Sequence, residues 1–254
     1  MTVSTRANAV SSYVITKGSM IPETYAAFRH WDFRRSLSDN LTELRQTNVM
    51  GAKSTSWLSD MVRVLRRRFD PPRRDRTLVE LAQVGCDIEV WKPLMLWHMT
   101  RDEFLVRDFF SNWLFSKYRE AVHRLCSADV QPYLAEQTGS WSDYTLKRAA
   151  SGLLRMGVDF GLLKGTVFRE FVSYHLPEES FMYLLHAMMD KLHNAGKVID
   201  STDWHIFLMT RQDVEAELYR LHQFRKLHFE SAGSLVQLEL PCSSVAEYVG
   251  RLVE

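Results

Sequence analysis

Residues 138–171, TGSWSDYTLKRAASGLLRMGVDFGLLKGTVFREF, decide how this chain is read. Ser140 with Asp143 three residues on has the form of a capping box, which predicts a sharp helix start. Leu146, Ala149, Ala150, Leu153 and Leu154 recur at helical spacing, and Gly157 reads as the stop. Tyr144, Lys147, Arg148, Ser151 and Arg155 fall on the opposite face. Beyond the stop, Leu162-Leu163 and Val167-Phe168 flank Lys164-Gly165, the pattern of two short strands joined by a tight turn. Upstream, Asp129 to Gln137 reads as a shorter helix, with Gly139 in the connecting turn. Helix, glycine turn, helix and hairpin together form the outline of a winged helix-turn-helix.

Working outward from this stretch, the chain predicts a mainly α fold. It has helical bundle-like domains, winged helix-turn-helix elements and short β-hairpins. Tyr13–Thr16 is expected as a short strand or arm after a frayed start at residues 1–12. Helices follow from Pro22 to about Trp31, Leu37–Thr47 capped by Ser36 and Asp39, and Ser54–Phe69. Further helices are expected at Leu78–Val84, at Ile88–Met99, and at Arg101–Leu125, broken once, with Thr100 and Glu103 as a capping box. Pro177 starts a helix through Leu192 that stops at Gly196. Trp204–Met209 reads as a strand, and Thr210 with Asp213 caps a helix to about Arg225. Lys226–Leu240 reads as a hairpin with Gly233 near its middle, and Ser244 with Glu247 caps the last helix. We place a boundary near 128. Residues 1–128 then form a helical domain with a helix-turn-helix-like three-helix unit expected at 20–70. Residues 129–254 hold a winged unit (129–172) and a second helix-hairpin-helix unit (203–254).

At 254 residues the chain is long enough for a substantial core, and 46% hydrophobic with 25% charged residues is globular. The formal net charge is only +1, so any nucleic-acid surface must come from segregated charge. One segment is segregated. Arg63, Arg66, Arg67, Arg68, Arg73, Arg74 and Arg76 face only Asp70 and Asp75 in the span 63–76, an excess of about five positive charges. Two readings stand: a solvated helix end favoured by the dipole, or a set of guanidinium forks for phosphates. The aromatics Trp91, Trp97, Phe104, Phe109, Phe110, Trp113 and Phe115 read as core or interface, since acids interleave them where a stacking platform would want a basic groove.

Chemistry is harder to find. No phosphate-loop, dinucleotide or nucleophile-elbow motif is present, and the histidines lack metal-binding spacing. We expect no enzyme, no cofactor and no metal. No apolar run reaches the roughly 20 uncharged residues of a membrane span. The three cysteines read as reduced thiols of a cytoplasmic protein, with a monomer favoured.

Two blocks carry a family resemblance. The first is YVITKGSMIPET, the following LSDNLTELRQTN, and the helix S-x-x-x-L-x-x-x-V-x-x-L-x-x-R-F, spanning Tyr13–Phe69. The second is WSDYTLKRAASGLLRMGVDFGLL, Trp141–Leu163. In these the chain resembles the BrxA family of bacterial BREX phage-defence systems. The resemblance implies a helical protein with winged-helix-like parts that binds double-stranded DNA without catalysis. It also implies work alongside other proteins of a system that marks host DNA and excludes phage. On this reading the DNA contacts are Thr145, Lys147, Arg148 and Arg155 on one helix, Lys164 on the wing, and the seven arginines above. The alternative is a protein-docking module using its winged helices without DNA contact. A metal-dependent nuclease is a third, weaker reading.

Overall fold

The computed structural model describes residues 10–232 and 235–253. The chain is mainly helical, with two small antiparallel hairpins. Its first half contains α1 (Ser12–Thr16), α2 (Ile21–Arg29), α3 (Leu37–Thr47), α4 (Thr55–Arg68), α5 (Arg76–Gln83) and α6 (Ile88–Met99). Side-chain caps set several of these starts. Ser36 Oγ accepts the Asp39 amide and Ser54 Oγ the Trp57 amide, satisfying donors that a helix leaves open in its first turn. Next come α7 (Phe104–Asp108), a π-helical stretch (Phe109–Leu114) and α8 (Phe115–Arg119).

The second half begins with α9 (Ser127–Thr138) and α10 (Asp143–Asp159), followed by β1 (Leu163–Lys164) and β2 (Glu170–Phe171). The chain then continues through α11 (Glu178–Leu192), α12 (Ala195–Ile199), a 3-10 helix (Thr202–Phe207) and α13 (Arg211–Gln223). It closes with β3 (His228–Ala232), β4 (Leu235–Glu239) and α14 (Val245–Val253). One hydrophobic cluster runs through both halves, with Phe28, Val62, Trp91, Leu153 and Phe181 all fully buried. α1 packs on α10 and α6 on α11, so the two halves share this core. The aromatics at 91–110 belong to it: Trp91 donates its indole N–H to the Leu78 carbonyl at 2.9 Å.

Several local expectations are corrected. Tyr13–Thr16 is helix, as part of α1, and not a strand. Thr100 does not open a helix. Its hydroxyl donates to the Trp97 carbonyl at the end of α6, while Glu103 is buried against Arg67. α10 is capped by Ser142, not Ser140, through the Thr145 amide at 3.3 Å. Gly157 lies inside α10 and is there for space, since a Cβ would meet Leu163 Cδ1 at 2.8 Å. The first hairpin pairs Leu163 with Phe171 and Lys164 with Glu170, leaving Val167 and Phe168 in the exposed tip instead of a strand. α11 ends on His193 in left-handed geometry, and Gly196 sits in α12. Trp204–Phe207 is 3-10 helix because Ser201 Oγ accepts the Asp203 amide and starts a turn. Of the expected frayed start (residues 1–12), residues 1–9 lie outside the described residues, as does Gly233, while Ser12 opens α1.

Candidate nucleic-acid interface

α10 is amphipathic in the way its spacing predicts. Leu146, Ala149, Ala150, Leu153 and Leu154 are buried, while Lys147, Arg148, Ser151 and Arg155 are exposed. Among the described residues Lys147, Arg148 and Arg155 have no acidic partner; Arg148 lies 5.6 Å from the ring of Tyr144, one turn earlier. Three cations on one helix face without an ion pair stay available to an anion. Thr145 is different. It is half-buried and its hydroxyl lies 3.0 Å from Ser142 Oγ at the start of the helix, so it serves the cap.

This face borders a groove of about 740 Å³, whose far wall is the turn between α1 and α2. Lys17, Ser19, Trp57, Lys92, Arg148 and Arg155 line it, together with Glu23, Glu89 and Asp159. Ser19 Oγ donates to Asp159 Oδ2 at 2.6 Å, tying the turn to the end of α10. Lys17 binds Asp60 of α4, and hydrogen bonds from Lys17 and Tyr13 hold the Asp60 carboxyl below its usual range. Sequence reading missed Lys17 and Lys92. The only signal was a lysine beside Gly18, and nothing in the sequence brings residue 17 next to residue 155.

The hairpin beside α10 is anchored on its far side. Leu125, between α8 and α9, exchanges both backbone hydrogen bonds with Arg169, each 2.8 Å. The order from residue 115 is therefore helix, bridge residue, helix, glycine turn, helix and hairpin. Lys164 is exposed on β1 next to the turn, 3.8 Å from Glu170.

The arginine run does not form one surface. Arg68, expected among the DNA contacts, is fully buried; it donates to the Ser19 carbonyl at 2.8 Å and the Gly18 carbonyl at 2.6 Å. Burial pushes its guanidinium down to about 10. Arg74 binds both oxygens of the buried Asp75 carboxylate and also Asp102. Burial alone would raise the Asp75 carboxyl, yet hydrogen bonds from Arg74 and His98 hold it well below the usual range. His98 passes this chain on to Tyr183 and Thr77, with heavy-atom distances of 2.7 and 2.6 Å. Arg67 bonds Glu103 at 2.7 Å; burial raises that carboxyl against the pull of Arg67.

The remainder of the run is exposed. Arg63 pairs with Asp60 and lies over the Tyr13 ring, and Arg76 pairs with Glu80. Arg66 and Arg73 have no acidic partner among the described residues. Sequence position alone separates none of these, because Asp102 and Glu103 lie far along the chain.

Among the described residues no three His, Cys, Asp or Glu side chains form a group able to hold a metal ion, and no helix is long and apolar enough to cross a membrane. A family model, BrxA, matches residues 11–188. Comparison with curated proteins and with solved structures gives no match. With well over half of its length matched, the chain belongs to the BrxA family, and membership implies a component of BREX phage defence.

Proposed function

We propose that this chain is a non-catalytic, duplex-DNA-binding component of BREX phage defence, gripping mainly the phosphate backbone. The observation that carries this reading is the set of acid-free cations Lys147, Arg148 and Arg155 on the exposed face of α10. That helix sits in a helix, glycine-turn, helix, hairpin order whose hairpin is bridged to Leu125, which is the element order of a winged helix. Such contacts position a protein on DNA without reading its sequence. Arg66 and Arg73 add two more free cations, while Lys164 sits on the wing and Arg63 and Arg76 contribute less because each already has an acid partner. Arg67, Arg68 and Arg74 drop out of the contact set, since their guanidiniums are bound to Glu103, to backbone carbonyls and to Asp75 with Asp102, and Thr145 contributes less because its hydroxyl serves the cap.

Five acid-free cations predict a slope of log affinity against log salt of about −4.5. Titrating a fluorescent duplex with the protein at two salt concentrations tests this. Affinity that does not change with salt would sink the phosphate-grip reading. The rival reading, a docking module, is favoured by Phe224 and Leu235, which are exposed near and on the second hairpin. Capture of another defence protein without any shift of duplex DNA at low salt would favour it.

A further inference from the structure

The tip of the first hairpin presents two adjacent apolar side chains to solvent: Val167 is 68% exposed and Phe168 56%. Gly165 has φ +102°, and a Cβ there would lie 2.2 Å from the Phe168 carbonyl oxygen, so the turn admits no other residue without moving. Arg169 Nη1 donates to the Val167 carbonyl at 2.9 Å, and the paired bonds between Leu125 and Arg169 pin the chain directly after the tip. The tip is a stiff apolar point.

Cations collar it. The Arg124 guanidinium lies 5.5 Å from the Phe168 ring, Lys164 is exposed on the neighbouring strand, and Arg169 sits directly behind. The acid contacting this group, Glu170, is shared between Arg124 and Lys164. An apolar point ringed by positive charge suits a partner with negative edges and a stacked apolar interior, which is a nucleic-acid duplex. Protein docking fits less well. Two side chains bury a few hundred Å² at most, short of the roughly 800 Å² per partner of a stable interface.

Resting on the DNA-binding reading above, we propose that Phe168 is a wedge that enters the stack at a deformable base step, with Arg124 and Lys164 holding the flanking phosphates. Apolar wedges of this kind unstack a step and kink the duplex, and pyrimidine–purine steps yield most easily.

The test uses the full chain and a duplex carrying 2-aminopurine at a TA step, with donor and acceptor dyes on the ends of a second duplex. Binding of the wild type should raise 2-aminopurine fluorescence and shorten the end-to-end distance. Phe168→Ala should lose both signals and bind about tenfold more weakly. Phe168→Leu, still an apolar wedge, should keep them, and Lys164→Gln should weaken binding while leaving the unstacking signal. Phe168 is exposed, so these variants should fold with unchanged circular dichroism. Salt-dependent binding by the wild type with no rise in fluorescence would overturn the wedge alone, as would a Phe168→Ala protein that still unstacks the step. Failure of the wild type to bind any duplex would overturn both the wedge and the reading beneath it.

Discussion

α4 with its following turn and α10 are both cationic helical segments, and the structure uses their charge in opposite ways. In the first, Arg67, Arg68 and Arg74 turn inward to Glu103, to the carbonyls of Gly18 and Ser19, and to Asp75 and Asp102. In the second, Lys147, Arg148 and Arg155 are exposed and form no ion pair among the described residues. Formal charge is larger in the arginine run, but available charge is greater on α10. The lesson is that a charge count becomes a binding argument only after each cation's partners are known. The two segments are also linked, because Arg68 fixes the Lys17–Ser19 turn that walls the groove beside α10.

The sharpest way to break the comparison is to disarm the inward arginines. Arg74→Ala leaves the buried Asp75 carboxylate without its cationic partner, and losing half of such a pair costs about 3–5 kcal/mol. Arg68→Ala strands two carbonyls and opens a cavity, and should cost on the order of 3 kcal/mol. Urea unfolding reads both; a loss below about 0.5 kcal/mol would return these residues to the surface-charge class. Neither variant should alter the salt slope of DNA binding under conditions where it stays folded.

The outward set should behave in reverse. Arg148→Glu with Arg155→Glu should lower affinity for every duplex by roughly thirtyfold, about 2 kcal/mol, with thermal stability unchanged. Equal affinity would remove α10 from the interface. Arg66→Gln with Arg73→Gln is the smaller counterpart, expected to weaken binding a few-fold, about 1 kcal/mol or less. An effect as large as that on α10 would mean that the arginine run is the main grip after all.

A pH titration probes the inward network without mutation. Burial lowers the imidazoles of His98 and His186, against the opposing pulls of Asp75 and of the Met182 carbonyl. The unfolded chain then takes up protons near pH 6.5 that the folded chain refuses, so stability falls as pH drops below that value. The Asp75 carboxyl is lowered too, so a further loss follows below about pH 3.8 as the unfolded chain protonates first. Stability that holds flat between pH 7 and 5 would contradict the buried, neutral assignment of His98.

Much of the helical layout was legible because caps and apolar spacing are local. α3 and α6 match their expected spans, and the Ser36 and Thr210 caps form as read. The errors come from choices made elsewhere in the fold. Ser140 and Ser142 both precede Asp143, and the half-buried Trp141 between them gives the sequence no way to choose. Gly157 reads as a stop because Leu163, which needs the space, lies past the end of the helix. For the candidate interface, the cationic face of α10 followed from spacing alone. The burial of Arg68 did not, since its partners are backbone carbonyls 49 and 50 residues away.

The most direct test is the change in salt slope when the two α10 arginines are neutralised. Wild type and Arg148→Gln with Arg155→Gln are titrated with the same duplex over a range of salt. The account predicts a wild-type slope of about −4.5 that becomes shallower by roughly 1.8 in the variant, because two phosphates are no longer neutralised. An unchanged slope would contradict it.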